Sequence, residues 1–62
     1  MIIETSANRF YSVVETGNEH LTHVWYGTPV KHTKAGWVVT AAFRKTGRTE
    51  LVRKEATKVV EA

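Results

Sequence analysis

Five basic residues flank one apolar run, and they are the side chains in this sequence best suited to chemistry. The stretch KHTKAGWVVTAAFRKTGR, residues 31 to 48, has its apolar centre at residues 37–43. The flanking cations are Lys31, Lys34, Arg44, Lys45 and Arg48. Lysine and arginine neutralise phosphates, and exposed aromatic rings stack on bases, so this composition favours contact with nucleic acid. The alternative is a core strand whose basic ends are solvated and deter pairing with other strands.

The charge is distributed unevenly along the chain. Residues 1–20 hold one arginine against three glutamates (1 − 3 = −2), whereas residues 21–62 hold eight Lys or Arg against three glutamates (8 − 3 = +5). Such an asymmetry favours an acidic partner for the second part. We expect nucleic acid, bound through Arg44, Lys45 and Arg48 with the nearby Arg53 and Lys54, and more weakly through Lys31 and Lys34. The alternative hypothesis is a small protein-binding module or inhibitor that docks on an acidic surface of a larger protein.

Catalysis has little support in the sequence. There is no aspartate and no cysteine, and the only serines are Ser6 and Ser12. Neither serine lies in a nucleophile-elbow pattern, and no glycine-rich phosphate or dinucleotide fingerprint occurs. The glutamates and histidines have no spacing that pairs them for acid–base work. We therefore expect a binding protein that is not an enzyme and needs no cofactor.

Three histidines could in principle bind a metal ion. His20 and His23 are three residues apart, and His32 follows further along the chain. Positions three apart on a strand point to opposite faces, so His20 would have to lie in a turn for the two rings to converge. Zinc sites usually have tighter ligand patterns than this. We interpret the three as exposed histidines and predict no metal site.

Two stretches resemble the double-stranded-RNA-binding family. YSVVETGNEH, residues 11–20, is similar to that family's tyrosine, strand and G-P-x-H loop, with Tyr11, Gly17 and His20 in the corresponding places. RKEATK, residues 53–58, is similar to the K-K-x-A-K start of its helix. Here asparagine replaces the loop proline, no helix precedes Tyr11, and the intervening segment is longer. For these reasons we transfer no residue roles from the family.

Antiparallel strands are predicted to position the basic side chains. The first three candidates, with β-branched or alternating residues, are residues 1–5, 9–15 and 21–27. Thr16-Gly17-Asn18 should join the second and third into a hairpin, because glycine and asparagine tolerate positive φ. Since Pro29 cannot donate to a sheet ladder, we predict a bend or an edge there and a loop over residues 29–36.

The basic stretch itself is predicted to supply the central strand. It runs from Trp37 to Arg44, and four of its residues face the core: Trp37, Val39, Ala41 and Phe43. A glycine-containing hairpin turn at residues 45–48 leads to a return strand at residues 49–53. On this interpretation, the apolar centre is core, and the candidate site is the pair of basic loops at its two ends.

The tail, residues 54–62, permits two interpretations. Val52, Ala56, Val59 and Val60 have helical spacing, whereas the β-branched Val59-Val60 pair favours a tight turn at residues 54–56 and a strand at residues 58–61. The second ending resembles that of small SH3-like barrels, a likeness of turns that covers residues 27–61. The predicted fold class is therefore all-β: a small twisted antiparallel sheet or SH3-like barrel of about five strands. The alternative is a three- to four-stranded antiparallel sheet with a C-terminal helix.

The chain's size sets the remaining expectations. Sixty-two residues make one small domain, and a core of this size is only marginally stable without help. Because there is no cysteine, that help cannot come from a disulfide, so a homodimer is an open alternative. We see no membrane span and no signal peptide, and we expect a cytoplasmic protein.

Overall fold

Six antiparallel strands form one sheet in the computed structural model, which describes residues 1–6 and 8–62. The strands are β1 (Ile2–Thr5), β2 (Phe10–Glu15), β3 (Val24–Thr33), β4 (Gly36–Val39), β5 (Glu50–Arg53) and β6 (Thr57–Glu61). One short helix, α1 (Ala41–Thr46), and two 3-10 turns, η1 (Glu19–Leu21) and η2 (Lys54–Ala56), connect them. The predicted small all-β fold is confirmed.

β3 organises the sheet because it has three partners. Along one side it pairs with β2, which pairs in turn with β1, and β1 pairs with β6. Along its other side, Val24–Gly27 pairs with β5 and Val30–Thr33 pairs with β4. Thr28 and Pro29 lie between the two partners. A proline, which has no N–H, is tolerated there because neither β4 nor β5 needs a donor at that point.

The bend predicted at Pro29 and the loop over residues 29–36 are therefore wrong, whereas the alternative of a local strand edge at Pro29 agrees with the gap between the two partners. β3 continues through this region and only changes its partner. The carbonyl oxygen of Pro29 accepts a bond of 3.0 Å from the N–H of Thr40, which ties the residue after β4 to the changeover point. The predicted hairpin between the second and third strands is confirmed, although η1 lengthens its connection.

The predicted central strand from Trp37 to Arg44 is also wrong. Its first part is β4, which among the described residues pairs with β3 alone, and its second part is α1. Thr40 begins the helix by accepting a bond from the N–H of Phe43, and Gly47 ends it in the left-handed conformation with φ 61°. Since alanine favours helix, the two alanines that follow this cap complete a local helix signal. The residues expected to form a basic hairpin turn thus form a helix end.

The tail adopts the turn-and-strand arrangement. η2 occupies Lys54–Ala56, and β6 follows at once and pairs antiparallel with β1. The alternative with a C-terminal helix is therefore wrong. The closing strand after a single turn is the ending predicted from the SH3-like pattern.

The main hydrophobic core lies on one face of the sheet. It consists of buried side chains from four strands: Ile3, Tyr11, Val13, Trp25 and Val52. Gly27 lies among them and has no room for a side chain, because an added Cβ would be 2.7 Å from Cγ2 of Val52 and 3.1 Å from Cδ1 of Tyr11.

A second, smaller apolar cluster lies on part of the opposite face. Phe10 pairs with Val30 across β2 and β3, and the Trp37 ring lies against Phe10 with 5.1 Å between ring centroids. The Trp37 indole N–H reaches β6, where it donates a 2.7 Å bond to Glu61. Trp37 is half-buried, and Phe43 is half-buried on α1. The prediction that Trp37 and Phe43 lie together on one core face is therefore wrong.

Candidate functional site

The nine lysines and arginines fall into two groups according to ion pairing. Three of them pair with carboxylates: Lys54 with Glu15 at 2.9 Å, Lys58 with Glu4 at 3.3 Å and Arg53 with Glu55 at 3.9 Å. The other six have no carboxylate oxygen within 4.0 Å among the described residues. These six, which we call the unpaired cations, are Arg9, Lys31, Lys34, Arg44, Lys45 and Arg48.

The β3–β4 hairpin presents two of the unpaired cations. Lys31 is exposed on β3 opposite Val38, and Lys34 is exposed in the two-residue turn that follows. The turn is fixed by Thr33, whose hydroxyl donates to the carbonyl of Gly36 (2.8 Å) and accepts from the N–H of Ala35 (3.2 Å). Lys31 therefore lies on a strand rather than in a loop, and Lys34 lies at the tip of the hairpin.

The end of α1 presents three more. Arg44 and Lys45 lie in the last turn of the helix, where positive charge is favourable beside the free carbonyls. Arg48 follows the Gly47 cap, and its N–H donates to the hydroxyl of Thr46 at 3.3 Å. All three side chains are exposed. The helix replaces the predicted hairpin, but it keeps these three cations close together in the chain.

A groove of about 680 Å³ lies between β2, β3 and α1. Lys31 and Ala42 both line it, so the groove connects the hairpin to the helix. Arg9 lines it as well and was not among the predicted site residues. The predicted hairpin gave no signal for Arg9, because its second strand ended at Gly27. The pairing of Phe10 with Val30 in the structure places the preceding Arg9 close to Lys31. The sheet register, rather than charge counting, finds this residue.

The groove also contains a negative charge. The Tyr11 hydroxyl donates a 2.9 Å bond to the Glu50 carboxylate, and both residues line the groove. Burial raises the pKa of Tyr11, the bond and charge of Glu50 raise it further, and Arg9 opposes the change. The hydroxyl therefore remains a proton donor at neutral pH. The groove is mixed in charge, with Glu50 beside Arg9 and Lys31.

Arg53 and Lys54 lie away from the hairpin. Arg53 pairs in register with Val24 at the start of β3, and Lys31 and Lys34 lie at the other end of that ten-residue strand, roughly 25 Å away at ~3.3 Å per residue. The Lys54 ammonium is 2.9 Å from Glu15 and 5.2 Å from the centroid of the Trp25 ring. Its hydrogen bond lowers the pKa of Glu15. Lys54 thus covers the edge of the main core.

The three histidines do not converge. His20 lies in η1, His23 follows it in a turn, and His32 lies on β3 with its ring 4.9 Å from that of Trp37. Across residues 1–6 and 8–62, no three His, Asp or Glu side chains are placed to hold a metal ion. His32 instead extends the aromatic cluster, and its side chain is exposed.

Most of the unpaired cations lie in a segment of the sequence that contains no acidic residue. Residues 20–49 contain five Lys or Arg and no Asp or Glu. This segment forms β3, β4 and α1. No helix among the described residues is long and apolar enough to cross a membrane. No family model matches the sequence, and searches of the curated proteins and of the solved structures find no match.

Proposed function

We propose that this chain is a non-enzymatic nucleic-acid-binding protein that contacts phosphates through the unpaired cations of β3, the β3–β4 turn and α1. The observation that carries the proposal is the division of the basic residues. The cations of β5, η2 and β6 are matched by the chain's own glutamates, whereas the other six have no carboxylate partner among the described residues. Five of these six lie on one segment, residues 31–48. Unmatched charge concentrated in this way is what an external polyanion would neutralise.

Binding through these six cations costs little inside the protein. Their side chains need not leave an internal partner, and each phosphate contact releases condensed counterions, which favours association. Lys54 would have to give up both Glu15 and its contact with the Trp25 ring, and its side chain is only 28% exposed. We therefore assign Arg53 and Lys54 a smaller part than the sequence suggested.

The aromatic cluster supports a role for bases as well as phosphates. His32 is exposed, and its ring contacts that of Trp37. It lies at the end of β3 that also carries Lys31 and leads to Lys34 in the turn. Rings beside cations are the usual elements of single-strand binding surfaces, because every base offers a face for stacking. We expect single strands to bind at least as well as duplexes.

The test is a titration of labelled single- and double-stranded DNA and RNA at about 50 and about 200 mM salt. The double variant K31Q/K34Q should weaken binding and reduce the slope of log affinity against log salt by about 1.8 for duplex DNA, at about 0.9 per phosphate contact. The matched control R53Q/K58Q removes two cations that are paired internally, so it should change the slope much less. The triple variant R44Q/K45Q/R48Q measures the share of α1.

Two results would overturn the proposal. One is the absence of binding to all four nucleic acids at low salt, in which case docking on an acidic protein surface takes its place. The other is an equal loss in K31Q/K34Q and R53Q/K58Q, which would show that net charge alone decides affinity.

A further inference from the structure

Three exposed hydrophobic side chains form a row across the sheet on the face opposite the main core. Val14 on β2 pairs in register with Tyr26 on β3, and Tyr26 pairs with Leu51 on β5. Residues directly opposite one another in antiparallel strands point to the same face, so the three side chains are neighbours. They are 64%, 37% and 54% exposed, respectively. This row is uncovered in the single chain.

The row ends at a free strand edge. β5 pairs with β3 along one side, and none of the described strands pairs with its other side. Such an edge offers unpaired N–H and C=O groups to another strand. Glu50–Arg53 contains no proline or glycine that would prevent pairing. Both the exposed apolar row and the unpaired strand edge could therefore be buried by one partner strand.

We propose that a second copy of this chain occupies this edge, with β5 pairing antiparallel to β5 of the partner about a two-fold axis. The axis must be perpendicular to the sheet, because only then do the two chains lie side by side with their main cores on the same side of the joined sheet. Residues that lie opposite each other in antiparallel strands point to the same face of the sheet. The axis must therefore pass beside one residue of β5 that lies opposite the same residue of the partner. Near the centre of Glu50–Arg53 that residue is Leu51 or Val52. The two choices differ in what lies opposite Leu51.

An axis at Leu51 is the better match. It places Leu51 against the partner's Leu51 and joins the two rows into one of six side chains across a continuous sheet. Arg53 then lies opposite the partner's Thr49, so within residues 49–53 no like charges face each other. An axis at Val52 would instead set Leu51 against the partner's Arg53, which leaves the row interrupted by charge. Cross-strand apolar pairs stabilise a sheet, so the first register is preferred.

The exposed area agrees with a missing partner. The chain has 4654 Å² of accessible surface, whereas a compact monomer of 7.0 kDa is expected to have about 4,000 Å². The excess, about 650 Å², approaches the roughly 800 Å² that each partner buries in a stable interface. Association would therefore bring this small chain to the burial that its size alone does not reach.

Sedimentation equilibrium over a concentration series gives the first test. The unmodified chain should reach about twice its 7.0 kDa mass, and Leu51→Lys should remain monomeric, because it puts two ammonium groups at the axis. Val59→Lys is the matched control, since Val59 on β6 is also 54% exposed. It should still dimerise. Far-ultraviolet circular dichroism of each variant verifies that it is folded.

Cross-linking gives a second test that does not depend on losing an interaction. The chain has no cysteine, so a single introduced thiol reports only its own neighbourhood. Under mild oxidation, Leu51→Cys should form a disulfide-linked dimer rapidly, whereas Val59→Cys should not. A monomeric unmodified chain at all concentrations, a dimer that survives Leu51→Lys, or equal cross-linking of both cysteine variants would each overturn the proposal.

Discussion

Trp25 and Trp37 lie on paired neighbouring strands, yet they have different surroundings. Trp25 lies on the face of β3 that carries the main core with Ile3 and Val52, and it is only 8% exposed. Trp37 lies on the other face, where one side of its ring rests on Phe10 and only its N–H is tied to Glu61. The comparison shows that in this small sheet only one face carries the main core. Trp37, an equally apolar side chain on the other face, is only half-buried and shields one side of Phe10 from solvent.

The largest effect is expected for Trp25→Ala. Removing the ring leaves a cavity in the main core and should lower the free energy of unfolding by about 3–5 kcal/mol. Urea denaturation of the purified variant measures this loss. Trp25→Phe keeps most of the ring and should lose clearly less. If Trp25→Ala cost no more than Trp37→Ala, the distinction between the two faces would not hold.

Trp37→Ala should have a smaller effect, about 1–2 kcal/mol, because its ring is only half-buried. The same urea series measures it. Glu61→Gln is an informative companion, since its amide oxygen can still accept the indole N–H and should preserve most of the stability. A loss above about 3 kcal/mol for Trp37→Ala would identify a second true core on the outer face.

Tyr11→Phe removes the buried end of the bond to Glu50 and should cost about 0.5–1.5 kcal/mol at neutral pH. The Tyr11 pKa is raised on folding, so the hydroxyl's contribution is fully present below its ordinary value of 10.0 and is lost as pH rises through the folded value. Unfolding curves at increasing alkaline pH should therefore show a decline that Tyr11→Phe reduces. An unchanged decline in the variant would assign the alkaline sensitivity to other groups.

The smallest effect is expected for Glu15→Gln, which breaks the ion pair over Trp25. Lys54 lowers the Glu15 pKa on folding, so this pair contributes stability above the ordinary value of 4.5 and loses it as pH falls through the lower folded value. The variant should therefore be slightly less stable than the unmodified chain at pH 9 and equally stable in acid below the folded value, so its stability profile is flatter. Thermal melts across that range measure the difference, and a larger change in acid than at pH 9 would contradict the assignment.

The sequence predicted the fold class better than the details of the basic stretch. Alternation and turn residues correctly indicated the first strand, the β2–β3 hairpin and the closing strand after η2. The strand predicted from Trp37 to Arg44 was wrong in its second half. The apolar residues there suit a strand, but the Thr40 cap and the Gly47 terminus favour a helix locally. The prediction at Pro29 was wrong for another reason. Proline is tolerated within β3 because the residue lies between the segments paired with β4 and with β5, and this pairing is not visible in the local sequence.

The basic residues illustrate the same limit. Their types and number were visible in the sequence, but their pairing was not. Lys54 meets Glu15 only because β5 brings η2 beside the end of β2, a contact between residues 39 positions apart. Arg9 joins the groove only through the register of β2 and β3. Charge counting gives the sign of a surface, whereas the fold decides which charges are left over.

The pairing of β1 with β6 has a consequence for the order in which the chain folds. Ile2 pairs with Glu61, 59 positions away (61 − 2), while Val30 pairs with Val39, 9 positions away (39 − 30). Closing the longer loop in an otherwise disordered chain costs about 1.7 kcal/mol more entropy. The β1–β6 ladder should therefore form after the β3–β4 hairpin. In native-state hydrogen exchange, its amides should report the late, reversible closure of the sheet.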